Sequence, residues 1–202
     1  MAFEQSFWDW FLEHEDELFE FNPSNQHQRD KLFDALHPRL QKVDPDLVFE
    51  FGPKAPKREF VISADGIRRA FPAVVSLSKC APSLDRWTIT AFRPRRPVMV
   101  VEIEGKRVDP AEVRFTLLDN GKITGINLFI PGFDEKDFVW KQIGYLMLDE
   151  SLGEFDVETR LGLIQMLPPE SNKEGDRHPL AELPVLFDQV VSRLENRSKK
   201  PS

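Results

Sequence analysis

VRFTLLDNGKITGINLFI, residues 113–130, reads as two β runs folded back on each other around Asn120-Gly121. Asn-Gly favours the two-residue type I′ turn, whose backbone twist matches that of paired strands. The stretch therefore predicts an antiparallel hairpin of residues 113–118 and 123–130. Pro131-Gly132 ends it. Beyond, residues 134–151 read as a helix, a last strand falls within 155–167, and 168–178 read as a polar loop. Residues 180–194 form a closing helix.

Upstream of the hairpin, residues 98–104 alternate as a strand. The connector Arg93-Pro94-Arg95-Arg96-Pro97 carries too many prolines for a paired strand. Strands are expected at 87–93, 58–63 and 47–51, with a helix at 67–80. Residues 26–43 read as a helix that Pro38 kinks or splits, and 3–21 as a first, unbroken helix. The order is ααββαββββαβα. Strands that mostly follow strands predict an α+β fold with a mainly antiparallel sheet of about six or seven strands, helices packing on one face or at its ends. Residues 1–195 read as a single domain, 1–43 being an N-terminal helical pair packed on it, and 196–202 as a disordered tail.

The chain has 202 residues and a net charge of -7. Residues 1–21 hold seven acids and no Lys or Arg, so the remainder is balanced at 27 acids against 27 bases. An acidic chain without a clustered positive face argues against nucleic acid as a partner. No apolar run is long enough to span a bilayer, and MAFEQSFWDW does not read as a signal or transit peptide. The single cysteine, Cys80, permits no internal disulfide and reads as a buried structural thiol, which suits a cytoplasmic protein.

LVFEFGP at 47–53, REFVISADGI at 58–67, WTITAFRPRR at 87–96 and LGEFDVETRLGLIQ at 152–165 together resemble a family of uncharacterised bacterial proteins. The resemblance implies a bacterial cytosolic origin and carries over no catalytic residue.

Glu154, Asp156 and Glu158, followed by Arg160, would share one face of a strand, where paired carboxylates can bind a divalent ion or do acid–base work; alternating charges on a solvated strand are the plain alternative. That carboxylate set is the basis for reading a metal-assisted hydrolase. The basic set Lys54, Lys57, Arg58, Arg68, Arg69, Arg93, Arg95 and Arg96 offers planar guanidinium forks for an anion, with Arg93, Arg95 and Arg96 as ligand-binding candidates; it also reads as a solubilising surface, or as the counterpart of the acidic first helix. His14, His27, His37 and His178 lack zinc-site spacing, and no GxxxxGK[ST] or GxGxxG occurs, so neither a metal nor a cofactor is expected.

The first helix carries seven of the 22 aromatics. Its apolar sector of roughly 200° exceeds the ~100° that one packing surface needs. It is either buried on two sides within its own fold, or it presents Phe7, Trp8, Trp10 and Phe11 to a protein partner, including a second copy in a homodimer. The leading expectation is thus a non-enzymatic protein-binding domain. A small-ligand site on the open sheet, lined by Trp87 and anchored by Arg93, is a further one.

Overall fold

A computed structural model describes residues 2–198, and the fold is α+β. Among these residues lie seven α-helices and nine strands in three mostly antiparallel sheets. Where the sequence suggested one domain, the contacts group into two compact units, Met1–Arg93 and Pro94–Ser202. Each has its own apolar core.

The first unit begins with α1 (Ala2–Glu13), α2 (Glu15–Glu20) and α3 (Gln26–Gln41). The expected single helix over 3–21 is therefore broken. The break sits at His14, whose backbone N–H is shared between the carbonyls of Trp10 and Phe11, and whose ring stacks on Trp10 at 4.4 Å. Two short helices turn two different faces inward, which accounts for an apolar sector too wide for one. The helix α3 is capped by the Asn25 side chain and runs through Pro38. Strands β1 (Val48–Phe51), β2 (Arg58–Ser63) and β3 (Trp87–Ala91) form a sheet with β2 central. Because α4 (Phe71–Lys79) carries the chain across, β3 pairs with β2 in parallel, one of two parallel pairings among otherwise antiparallel ones in the described sheets. Phe60 on β2 is fully buried, with the rings of Phe11 and Phe51 at 5.2 and 5.1 Å. At the end of β2 the Ser63 hydroxyl accepts from the Asp65 N–H, fixing the turn. Cys80 is exposed, not buried: it is the C-cap residue of α4, one place beyond the helix whose buried positions are Phe71, Val74 and Leu77.

In the second unit β4 (Val101–Ile103) pairs with β5 (Lys106–Val108), a strand the sequence did not announce. The hairpin of β6 (Arg114–Asp119) and β7 (Thr124–Phe129) is present, but its turn is longer than two residues. Asp119 still pairs with Thr124, and Asn120 Oδ1 accepts from the amides of Lys122 and Ile123, at 3.0 and 2.9 Å. The Asn side chain thus takes the amides that a tighter turn would commit to the ladder. After α5 (Phe138–Leu152) and α6 (Glu154–Arg160), β8 (Leu161–Leu167) joins β7 in parallel, giving the order β8-β7-β6-β9, where β9 is His178–Pro179 at the end of the expected loop. The last helix, α7 (Leu183–Ser198), continues into the expected tail; residues 199–202 lie outside the described residues. No described helix is long and apolar enough to cross a membrane.

Gly144 of α5 lies against β8, where a Cβ would meet the end of the flexible Met166 side chain and oblige it to shift. The N-terminus of α5 is set by Asp137, whose carboxylate accepts from the Val139 N–H and pairs with Lys106 at 2.8 Å. The Lys106 hydrogen bond, with the Val139 N–H behind it, holds the Asp137 carboxyl below its ordinary range. A carboxylate depressed in the folded state contributes stability above its unfolded pKa and loses it as pH falls through the folded value. Asp137→Asn should accordingly be less stable than the parent at neutral pH and lose less on acidification below the usual carboxylate range. Thermal melts over pH 2–7 measure this, and parallel curves would contradict it.

Candidate functional site

The residues singled out from sequence are scattered. Glu154, Asp156 and Glu158 do not line a strand. They lie on α6, where Glu154, Val157 and the following Leu161 are the buried positions, a helical period. Over seven residues the alternation of period two fitted equally well, but Gly153, at φ 80°, ends α5 and starts a new helix. Glu154 is fully buried, while Asp156 pairs with Arg95 at 2.6 Å and with Arg160 at 3.2 Å. No group of three or more His, Cys, Asp or Glu suited to a metal occurs among the described residues. The arrangement needed by the hydrolase reading is therefore not formed.

The arginines are engaged with their own chain. Arg93 meets Glu50 at 2.5 Å and Asp65 at 2.8 Å. Burial would lower its pKa, but the hydrogen bonds it donates to Asp65 and Glu50 outweigh burial and raise it. Arg95 donates to Asp188, Asp156 and the Leu152 carbonyl, and the Asp188 bond, with that of Asp156, raises its pKa against burial. Arg96 is exposed, and its backbone N–H donates to the Glu150 carbonyl at 2.7 Å. These contacts strap residues 95 and 96 onto the C-terminal end of α5, where helix carbonyls lack intrahelical partners. Lys54 pairs with Glu20, and Arg86 with Glu15 and Asp16, so acids of the first helical segment are matched by bases of their own unit. Trp87 is buried, its indole N–H donating to Glu15, and does not line an open sheet face.

Arg58 is the most deeply buried of the basic set. It is 0% exposed, and its guanidinium donates to the carbonyls of Gly52, Leu18 and Phe19 at 3.0, 3.1 and 2.8 Å, beneath the ring of Phe21. Desolvation lowers its pKa, partly offset by the field of Glu20. It ties α2 to the turn between β1 and β2. Only its place at the head of an apolar strand hinted at this.

Phe7, Trp8, Trp10 and Phe11 are all buried in the first unit, with exposures of 1, 1, 8 and 0%. The Trp8 indole N–H donates to Leu77 O at 2.9 Å, and Phe11 packs edge-on to Trp87. They pack as core and are not displayed as partner anchors.

What is displayed lies elsewhere. The strand β8, LGLIQML, is an edge strand: β7 takes one side, and no described strand takes the other. It has seven residues, no charge and no proline. Leu163 is 50% exposed. Alongside runs a groove of about 570 Å³, lined by Phe133, Lys141, Tyr145, Ile164 and Met166 among others. On the neighbouring helix Phe138 and Tyr145 are exposed as well. Natural sheets usually blunt a free edge with a lysine, a proline, a bulge or a short strand. The first two devices are missing from β8, and its length rules out the last. LGLIQML falls inside the strand expected within 155–167, but its pattern does not tell an edge strand from a central one. No family model, no curated protein and no solved structure matches the chain.

Proposed function

We propose that this chain is a non-enzymatic protein-interaction domain of the bacterial cytosol, and that it pairs with a second copy of itself through the edge of β8. The observation that carries the reading is the seven-residue, charge-free edge strand beside a groove whose wall mixes Phe133, Tyr145, Ile164 and Met166 with the charged Asp134, Glu135 and Lys141. Strand addition satisfies a row of backbone donors and acceptors at once, and pockets beside the strand receive alternate side chains. A second copy fits for an electrostatic reason. Antiparallel pairing of β8 with itself about Ile164 sets Leu161 opposite Leu167 and brings no two like charges face to face. The edge on each copy is thereby closed, as a twofold interface requires.

Leu163→Lys places two like charges near the axis on a side chain that is already half exposed. Light scattering during gel filtration should give about twice 23.4 kDa for the parent and 23.4 kDa for the variant, with the melting temperature of the diluted monomers unchanged. A parent chain that stays monomeric at high concentration, or a variant that still dimerises, would overturn the proposal.

A further inference from the structure

Separate from β8, a second pocket of the same unit holds about 400 Å³ and is walled by Pro97, Pro110, Pro179 and Pro184 with Leu180. That volume lies in the range of small-molecule sites, roughly 300–1,000 Å³. Proline gives such a wall a rigid apolar ring and no backbone N–H for burial to strand. Both charged lining residues are committed to their own chain. Arg96 is held by interactions within the fold, among them the bond from its backbone N–H to the Glu150 carbonyl at 2.7 Å. Asp109 caps the turn Pro110–Glu112, a carboxylate oxygen accepting from the Ala111 N–H at 2.9 Å. A charged ligand entering here would lose its hydration without an uncommitted ion of opposite sign to replace it. One neutral polar group remains. Ser151, on the buried face of α5, is 2% exposed, and its Oγ neither donates nor accepts a hydrogen bond. Serine within a helix can donate to the carbonyl one turn back, and Ser151 does not.

We infer that this proline-walled pocket binds a small uncharged molecule with an apolar body and a carbonyl group, the body against the proline rings and the carbonyl oxygen accepting from Ser151 Oγ. Apolar contact supplies the affinity, in proportion to the surface removed from water. The hydroxyl supplies the selection: it has a proton to donate and the carbonyl has lone pairs, so the bond gives Ser151 the acceptor that the fold denies it. The preference for a neutral ligand follows from the two committed ions.

Acetophenone, benzoate and ethylbenzene are suitable probes of one size, carrying a neutral carbonyl, a charge and no acceptor in turn, each titrated into the full ¹⁵N-labelled chain. Saturable amide shifts are expected with acetophenone around Ala111, Ser151, Leu180 and Ala181, and acetophenone should bind about tenfold more tightly than benzoate. Ser151→Ala should weaken acetophenone about fivefold and leave ethylbenzene unchanged, because only the ketone uses the hydroxyl. The melting temperature of the ligand-free variant should be unchanged or higher, since an unsatisfied buried hydroxyl is removed. Absence of saturable shifts at these residues, benzoate binding as tightly as acetophenone, or a Ser151→Ala variant that leaves acetophenone unaltered or weakens ketone and hydrocarbon equally would each overturn the assignment.

Discussion

Arg58→Leu is expected to lower the unfolding free energy by about 3–5 kcal/mol, the size seen when one partner is removed from a buried charged network. The guanidinium is fully buried and serves the carbonyls of Gly52, Leu18 and Phe19. Leucine fills part of the volume and leaves those carbonyls without donors. Arg58→Lys should recover less than half of the loss, because one ammonium cannot reproduce a planar fork that reaches separate carbonyls on α2 and on the β1–β2 turn. Urea denaturation followed by tryptophan fluorescence reads this well, since Trp8, Trp10 and Trp87 all belong to the first unit. A loss below about 1 kcal/mol for Arg58→Leu, within the ordinary net worth of one hydrogen bond, would show that the tie is dispensable.

Phe60→Ala is expected to cost about as much, 3–5 kcal/mol, for an apolar reason. Phe60 is 0% exposed at the centre of β2, with the rings of Phe7, Phe11, Phe49 and Phe51 within 6.2 Å. Those rings sit on α1 and β1, so removing the central one opens a cavity that no single element can close by shifting. Phe60→Leu, which keeps most of the volume, should cost only about 1–2 kcal/mol. The same denaturation experiment separates them. Equal losses for alanine and leucine would mean that ring-on-ring geometry, and not cavity formation, sets the energy.

Most elements could be read from local pattern. The run REFVIS was read as a strand with the bounds that β2 has, because one face and both neighbours are apolar and Gly-Pro and Asp-Gly punctuate it. Hairpin β6–β7 was legible from Asn120-Gly121, although its turn is reorganised by the Asn120 side chain. What the sequence hid was long-range. Both parallel pairings depend on where a crossover returns, which no periodicity records. Residues 154–160 satisfied both periods over a window too short to separate them, and burial of Glu154 chose the helix. The aromatic helix was read with its two alternatives open, and burial of Trp8 and Phe11 places it in the core. An edge cannot be told from a centre by composition: LGLIQML becomes notable only once β7 is seen on one side and no described strand on the other.

The most direct test of strand-to-strand self-association is an isotope-mixed dimer, half ¹⁵N- and ²H-labelled and half ¹³C-labelled, in which only contacts between copies are recorded. The account predicts interchain contacts among residues 161–167, centred on Ile164 opposing itself, with paired backbones about 5 Å apart. A dimer whose interchain contacts avoid β8 would contradict it.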